Sequence, residues 1–301
     1  MLITDLDGLV HDDDVAWYEE HGWWISPKVI DTQLIEDALA GVEDLHNGRR
    51  DRELPIDVEQ HLAWRPGSNY TMRMHNYAAL LNSAVYRLAT QPVIGCMAAR
   101  LARTSAVRLF NTTVVDKPPR VEGAKNTVGW HADEAYWATC SSTRMLTAWI
   151  PLVPLTDQMG PITMIDRSST WSGDVADSLR KIRGFVTDDP AALEGRLDAA
   201  FAAEKVPLTP LIGQVSFHHC MTFHGSPPNQ GGRNRVSLTV HLQDNENSWR
   251  EARQADGTLA SYRHDAWCRR DAAGNPDYGD PDICPQIWPV PVPAERSGDA
   301  R

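Results

Sequence analysis

The chain has 301 residues, 42% of them hydrophobic, and a formal net charge of −11. That length and apolar content allow one large core, or one core with insertions, and the acidic balance argues against nucleic acid and anionic membranes as partners. Five cysteines, an odd number with no C-x-x-C pair, argue against a zinc ribbon or a thioredoxin-like site and fit free thiols in a reducing compartment. The acidic opening MLITDLDGLVHDDD is unlike a secretory signal or a transit peptide, and no apolar run reaches the 18 residues a membrane span needs, so the expected setting is the cytoplasm.

In chain order, DDDVAWYEEHG reads as a short helix closed by Gly22, and WWIS as a short strand. A second helix starts at Asp31 or Thr32 and carries Leu34, Ile35, Ala38, Val42 and Leu45 at helical spacing up to Gly48. Residues 51–75 are polar and irregular, and 76–103 are helical with a break near Pro92. From about 105 the pattern changes to short strands rich in Val, Ile, Thr and aromatics: SAVRLFNTTVV, RMLTAWIPLV, ITMI, QVSFHHCM and RVSLTVHL, separated by turn residues. Helices followed by many short strands predict an α+β chain built round a β-sandwich or barrel. Residues 172–204, charged and Ala-rich, read as a helical insertion, and 251–301, with six Pro, as an irregular tail over the body. The expectation is a single domain over 1–301: helices at about 12–103, a strand core at about 105–245 and the tail.

The segment that carries chemistry is Gly129-Trp130-His131-Ala132-Asp133-Glu134. On a strand, positions i and i+2 share a face, so His131 and Asp133 would stand side by side. A third ligand from a distant strand would complete two histidines and one carboxylate, the set that leaves three positions open on Fe(II). His11-Asp12-Asp13 repeats the H-x-D pattern in an acidic run and reads as a solvated helix start. The distal segment GQVSFHHCMTFHGSPPNQGGRNRVSLTVHL supplies the rest: His224 at a strand end, then Arg235 eleven residues on. There Val236, Leu238, Val240 and Leu242 alternate with Arg235, Ser237, Thr239 and His241. A polar face turned into a cavity implies a polar ligand, and a guanidinium suits a carboxylate.

H-x-D, a distant His, and Arg at +11 within R-x-S together resemble the phytanoyl-CoA dioxygenase family of Fe(II)/2-oxoglutarate-dependent oxygenases. The blocks DKPPRVEGAKNTVGWHADEAYW, LTAWIPLVPLTDQMGPITMI and GQVSFHHCMTFHGSPPN carry the resemblance, which spans roughly residues 12–245. It implies a double-stranded β-helix (a jelly-roll, cupin-like barrel) with flanking helices. It implies Fe(II) held by His131, Asp133 and His224, with 2-oxoglutarate and O₂ as cosubstrates. It places Arg235 on the distal carboxylate of 2-oxoglutarate, Ser226 and Ser237 as assisting hydroxyls, and Trp149 and Thr113 along the same pocket, with Arg73 as a looser candidate. The implied activity is oxidation of a small organic metabolite through an Fe(IV)-oxo species, by default hydroxylation. Desaturation, epoxidation, ring closure or epimerisation would use the same chemistry. Asp133 stands where related halogenating oxygenases have Gly or Ala, which argues against halogenation. Two features depart from the family pattern: Ile165-Asp166-Arg167-Ser168-Ser169 replaces its Pro-Gly-Ser-His, and the tail after about 250 has no counterpart.

Other residues have plainer readings. His218 and His219 adjoin the strand leading to His224, and at most one can face a cavity. His241 is a candidate to line it, whereas His61, His75 and His264 carry no expected role. A silent jelly-roll binding protein and a zinc hydrolase are the rival classes. The retained ligands argue against the first. The lack of H-E-x-x-H and the presence of Arg235 argue against the second. The loop 117–130 and the insertion 172–204 are the expected substrate lid. The expected partner is a small-molecule substrate, and nothing in the sequence points to a particular oligomeric state.

Overall fold

The computed structural model describes residues 8–52, 72–122, 126–185, 189–253 and 257–290. His61 lies outside them, as do parts of the loop 117–130, of the insertion and of the tail.

Helix α1 (Asp12–His21) has three aspartates in its first turn, where they face the positive end of the helix. It ends at Gly22 with φ 78°, a left-handed turn in which a Cβ would run into Ser169 and Thr222. Strand β1 (Trp23–Ile25) follows, then α2 (Thr32–His46), whose first turn is capped by the Asp31 carboxylate accepting from the Gln33 N–H at 2.8 Å. Strand β2 (Arg73–Asn76) precedes α3 (Ala78–Leu81), α4 (Ser83–Ala89) and α5 (Pro92–Leu101).

The strands then alternate between two antiparallel sheets. β3 (Val107–Lys117) lies in the larger sheet, β4 (Val128–His131) in the smaller and β5 (Leu146–Pro151) in the larger. β6 (Ile162–Ile165) and β7 (Lys205–Leu208) belong to the smaller, with α6 (Asp174–Arg180) and α7 (Pro190–Phe201) between them. β8 (Ser216–His219) returns to the larger, β9 (His224–Ser226) to the smaller and β10 (Arg235–Asp244) to the larger. The orders are β1-β8-β5-β10-β3-β11 with β2 beside β3, and β4-β9-β6-β7. This back-and-forth makes the double-stranded β-helix expected from the sequence. The tail is less irregular than expected: it contains α8 (Arg263–Trp267) and β11 (Gln286–Trp288), and β11 adds to β3.

The larger sheet has two unlike faces. Leu146, Ala148, Ile150, Phe217, Val236, Leu238, Val240 and Leu242 share one apolar cluster with Ile35, Val42, Val85, Leu88, Ile94 and Met97 of the helices. Burying each of the larger side chains contributes roughly 1.5–3 kcal/mol. The alternate residues must then point the other way, toward the smaller sheet, where Trp149 packs with Ile162, Met164 and Leu208. The polar face of β10 therefore lines the interior. No helix among the described residues is long and apolar enough to cross a membrane.

Candidate active site

His131 closes β4 and His224 opens β9, and they are direct partners across that ladder, so both side chains leave the smaller sheet on one face. Their ring centroids are 4.2 Å apart. Asp133 is not on the strand, as expected, but at the start of a 3-10 turn (Asp133–Tyr136). The turn swings its carboxylate back, so Oδ1 lies 3.8 Å from His131 Nε2 and 3.7 Å from His224 Nε2. All three are buried, their ligand atoms lie within 4.8 Å of one another, and no other such group occurs among the described residues.

The backbone sets the histidine tautomers. His131 Nδ1 is 2.8 Å from the Gly129 carbonyl and His224 Nδ1 is 3.0 Å from the Thr222 carbonyl. A carbonyl only accepts, so each Nδ1 donates its hydrogen and each Nε2 turns a lone pair inward. Burial pulls both imidazoles down, His224 to about 4, which keeps them neutral near pH 7. Burial works against the Asp133 charge as well, but His224, His218 and His241 outweigh it and hold the carboxyl well below its usual range. Two neutral nitrogens and one anionic oxygen form a donor set that fits a divalent first-row metal.

At the other end of the interior, Arg235 begins β10 opposite Lys117 of β3. Its Nη1 donates to the Gly160 carbonyl at 2.6 Å and its guanidinium carbon lies 5.6 Å from the Trp149 ring centre. Its buried Nε has no hydrogen-bond partner. Burial pulls Arg235 down to about 10, with Asp116 acting in the opposite sense. Burial, and then Arg235 itself, push Lys117 well below the usual lysine range. A buried guanidinium with an unused donor, beside a buried lysine whose proton it disfavours, fits an anionic group between Arg235 and the candidate metal ligands.

Ser226 accepts from Lys117 Nζ at 2.5 Å, and the same nitrogen donates to the Ser226 and Pro227 carbonyls. With its oxygen accepting from lysine, the Ser226 hydroxyl keeps its own hydrogen for a carboxylate. Ser237 shares the inner face with Arg235 and sits 3.4 Å from the Val115 carbonyl. Thr113 donates to Asn76 Oδ1 at 3.1 Å and pairs with Thr239, which pairs in turn with Trp149. Arg73 does not join them. It pairs with Asp116 in the ladder and its guanidinium binds that carboxylate, beside His46 of α2. Asp116 is the ladder partner of Val236, so Arg73 lies on the helix-covered face, away from Arg235.

The insertion reaches His131 from outside. Phe185 accepts from the Gly129 N–H at 3.1 Å, and its own N–H donates to the Tyr136 hydroxyl at 3.0 Å. Its ring stands edge-on to His131, with centroids 5.0 Å apart. Gly184 lies so close to the Trp130 carbonyl that a Cβ would collide with it. Arg183 donates to the Ala135 carbonyl at 3.1 Å and lies over Tyr136.

A model of the phytanoyl-CoA dioxygenase (PhyH) family matches residues 18–237. The chain belongs to the phytanoyl-CoA dioxygenase family. No curated protein matches it. Among solved structures it is similar to SnoK, a non-heme alpha-ketoglutarate-dependent carbocyclase from nogalamycin biosynthesis, with 21% identity, TM-score 0.68 and coverage of 94% of this chain and 98% of that one. The alpha-ketoglutarate-dependent epimerase SnoN of the same biosynthesis gives 22% identity, TM-score 0.63 and coverage of 92% and 98%. EctD from S. alaskensis, solved with 2-oxoglutarate and 5-hydroxyectoine, gives 17% identity, TM-score 0.62 and coverage of 80% and 79%. At these identities the likenesses speak for the fold.

Within this family member, sequence reasoning passed over Thr147 and the buried Lys117, while of the pair His218 and His219 it is His218 that faces Asp133. Thr147 donates to Asp133 Oδ2 at 2.6 Å, and His218 Nε2 lies 3.4 Å from the same oxygen. A signal existed for Thr147, since it shares the face of Trp149 at period two. The segment 183–185 lies in the insertion expected as a lid, but which of its residues meet Tyr136 and His131 depends on where the loop lands.

Proposed function

We propose that the chain is an Fe(II)- and 2-oxoglutarate-dependent oxygenase that oxidises a small organic molecule, with His131, Asp133 and His224 as metal ligands. The observation that carries this reading is the pairing of two buried features in one interior. One is the group of two neutral imidazoles and a carboxylate, within 4.8 Å. The other is a buried arginine with an unpartnered Nε, on the inner face of β10. A zinc hydrolase has no use for the second, and a silent binding protein has no use for the first.

When bound, the metal and 2-oxoglutarate would supply a two-electron oxidation driven by O₂, with succinate and CO₂ as co-products. The protein's share is positional. Arg235, with the Ser226 hydroxyl, would hold the distal carboxylate of the cosubstrate, while Trp149 and Thr113 would wall its path and Ser237 would support Arg235 from the same face. Gly129 and Thr222 keep both histidines turned inward. The strap 183–185, with Tyr136 and Trp130, would bound the substrate beside His131 and exclude water there. We read residues 1–301 as one unit, because the tail supplies β11 to the larger sheet and the Tyr262 hydroxyl, 3.2 Å from Asn111 Nδ2.

Hydroxylation is the default outcome. A second reading is ring closure or epimerisation in a biosynthetic pathway. It is supported by coverage of more than nine-tenths of both chains for SnoK and SnoN, against four-fifths for EctD. The test is a screen of small metabolites for substrate-dependent succinate formation with Fe(II), followed by mass spectrometry of the product. A gain of one oxygen supports hydroxylation. A loss of two hydrogens supports ring closure or desaturation, and an unchanged mass with an inverted centre supports epimerisation. Absence of any Fe(II)-dependent consumption of 2-oxoglutarate would overturn the proposal.

A further inference from the structure

Three interior residues outside the ligand set converge on one oxygen atom. His218 of β8, Thr147 of β5 and His241 of β10 are successive cross-strand partners. Direct partners in an antiparallel ladder project to the same face, so the three form a polar row across the larger sheet. That row faces Asp133 from the side opposite β4 and β9. The Thr147 hydroxyl is 2.6 Å from Asp133 Oδ2 and 2.9 Å from His241 Nδ1. His218 Nε2 and His241 Nδ1 lie 3.4 Å and 3.7 Å from the same Oδ2. The other oxygen, Oδ1, is the one near the Nε2 atoms of His131 and His224.

The hydrogen count orders these contacts. A threonine hydroxyl has one hydrogen and can also accept. If that hydrogen goes to the carboxylate, the contact with His241 runs from Nδ1–H to the threonine oxygen. The result is a relay from imidazole to hydroxyl to Oδ2. The His218 ring nitrogens make no hydrogen bond within the protein, and Nε2 stands 3.4 Å from the same Oδ2. The two oxygens of Asp133 thus have separate surroundings.

We infer that the His218–Thr147–His241 row holds the outer oxygen of Asp133, so that this carboxylate binds the metal through Oδ1 alone. The inference rests on the reading of His131, Asp133 and His224 as the metal site and adds three positioning residues to it. Its consequence is open coordination. A facial triad offers three free positions, and a keto acid chelating through two atoms plus O₂ needs all of them. A carboxylate free to rotate and chelate would take one. The Thr147 bond, charge-assisted and buried, is the restraint against that rotation.

The experiment uses the full chain, stripped of metal and titrated with Co(II), whose visible spectrum reports coordination number without turnover. Thr147→Val removes the hydroxyl at nearly constant volume, and Thr147→Ser keeps it. The expected result is about 10–100-fold weaker Co(II) binding in T147V. The T147V spectrum should be altered and should respond poorly to added 2-oxoglutarate, while T147S stays close to wild type. Equal affinity and spectrum in wild type and T147V would overturn the inference, as would T147S failing as badly as T147V. If T147V does not fold, His241→Asn and His241→Leu decide. Asn retains a donor near the Nδ1 position and should keep the affinity, Leu should lose it, and equal affinities would overturn the relay. Should wild type and His224→Ala bind Co(II) alike, the metal reading itself fails and the inference falls with it.

Discussion

Around Asp133 the groups proposed as ligands are already tied to the protein. His131 is held by the Gly129 carbonyl, His224 by the Thr222 carbonyl and Asp133 by the Thr147 hydroxyl. Around Arg235 the opposite holds. A guanidinium and a lysine amine are buried side by side, one guanidinium nitrogen has no partner, and the direct acceptors are neutral oxygens. The restraints of the first end come from backbone and neighbouring side chains. The second would gain from an anion, because burial penalises the Arg235 charge and leaves its Nε without a partner. One end of the interior is built for orientation and the other for charge, so loss of residues at the two ends should show up in different measurements.

The largest effect is expected at the metal end. His224→Ala should abolish Fe(II)-dependent succinate formation and remove tight metal binding, because two ligands hold a labile ion weakly. Full activity in this variant would mean that the metal lies elsewhere. Next comes the charge end. Arg235→Ala should raise the 2-oxoglutarate KM by orders of magnitude, as losing a buried charge-assisted contact costs roughly 2–5 kcal/mol. Co(II) affinity should stay near wild type. A shift in metal affinity as large as the shift in KM would erase the distinction between the two ends.

A smaller effect concerns the strap. Gly184→Ala forces a methyl against the Trp130 carbonyl, and overpacking of this kind costs roughly 1–3 kcal/mol. The cost falls on β4 and Phe185, so substrate selection and substrate KM should change while the 2-oxoglutarate KM holds. An unaltered substrate profile in a folded G184A protein would remove the strap from the site.

Acid should produce a graded loss of stability. Burial holds His75 and His219 at about 4 and His264 at about 3, against an ordinary 6.5. These side chains are neutral in the fold, whereas the unfolded chain takes up protons as pH falls through 6.5. Stability should therefore be level above that pH and decline from 6.5 toward about 4. Melting of the metal-free protein across this range tests the sign, and a constant Tm down to pH 4 would contradict it.

Much of the layout was legible in the sequence because it follows from period two. The alternation along β10 correctly separates a helix-covered apolar face from an inner face bearing Arg235, Ser237 and His241. What remained hidden depends on register and turns. QVSFHHCMTFHG reads as one run, yet the chain leaves the larger sheet after His219 and enters the smaller at His224. The apolar residues of that crossing, Met221 and Phe223, hide the turn. Asp133 reaches its place through a turn of the backbone and not through strand parity. Arg73 was placed in the pocket by loose likeness, and only its pairing with Asp116 puts it on the far face. The convergence of His218 and His241 on Asp133 needs β8, β5 and β10 to be neighbours, which no local pattern states.

The most direct measurement is an anaerobic titration of the full chain with Fe(II) and 2-oxoglutarate, followed by the visible charge-transfer absorption of an iron-bound keto acid. The band is expected to develop and saturate in wild type. In Arg235→Ala it should need far more 2-oxoglutarate, and in His224→Ala it should be absent. A wild-type protein that develops no band, or a His224→Ala variant that develops it unchanged, would contradict the assignment of His131, Asp133 and His224 as an iron site completed by 2-oxoglutarate.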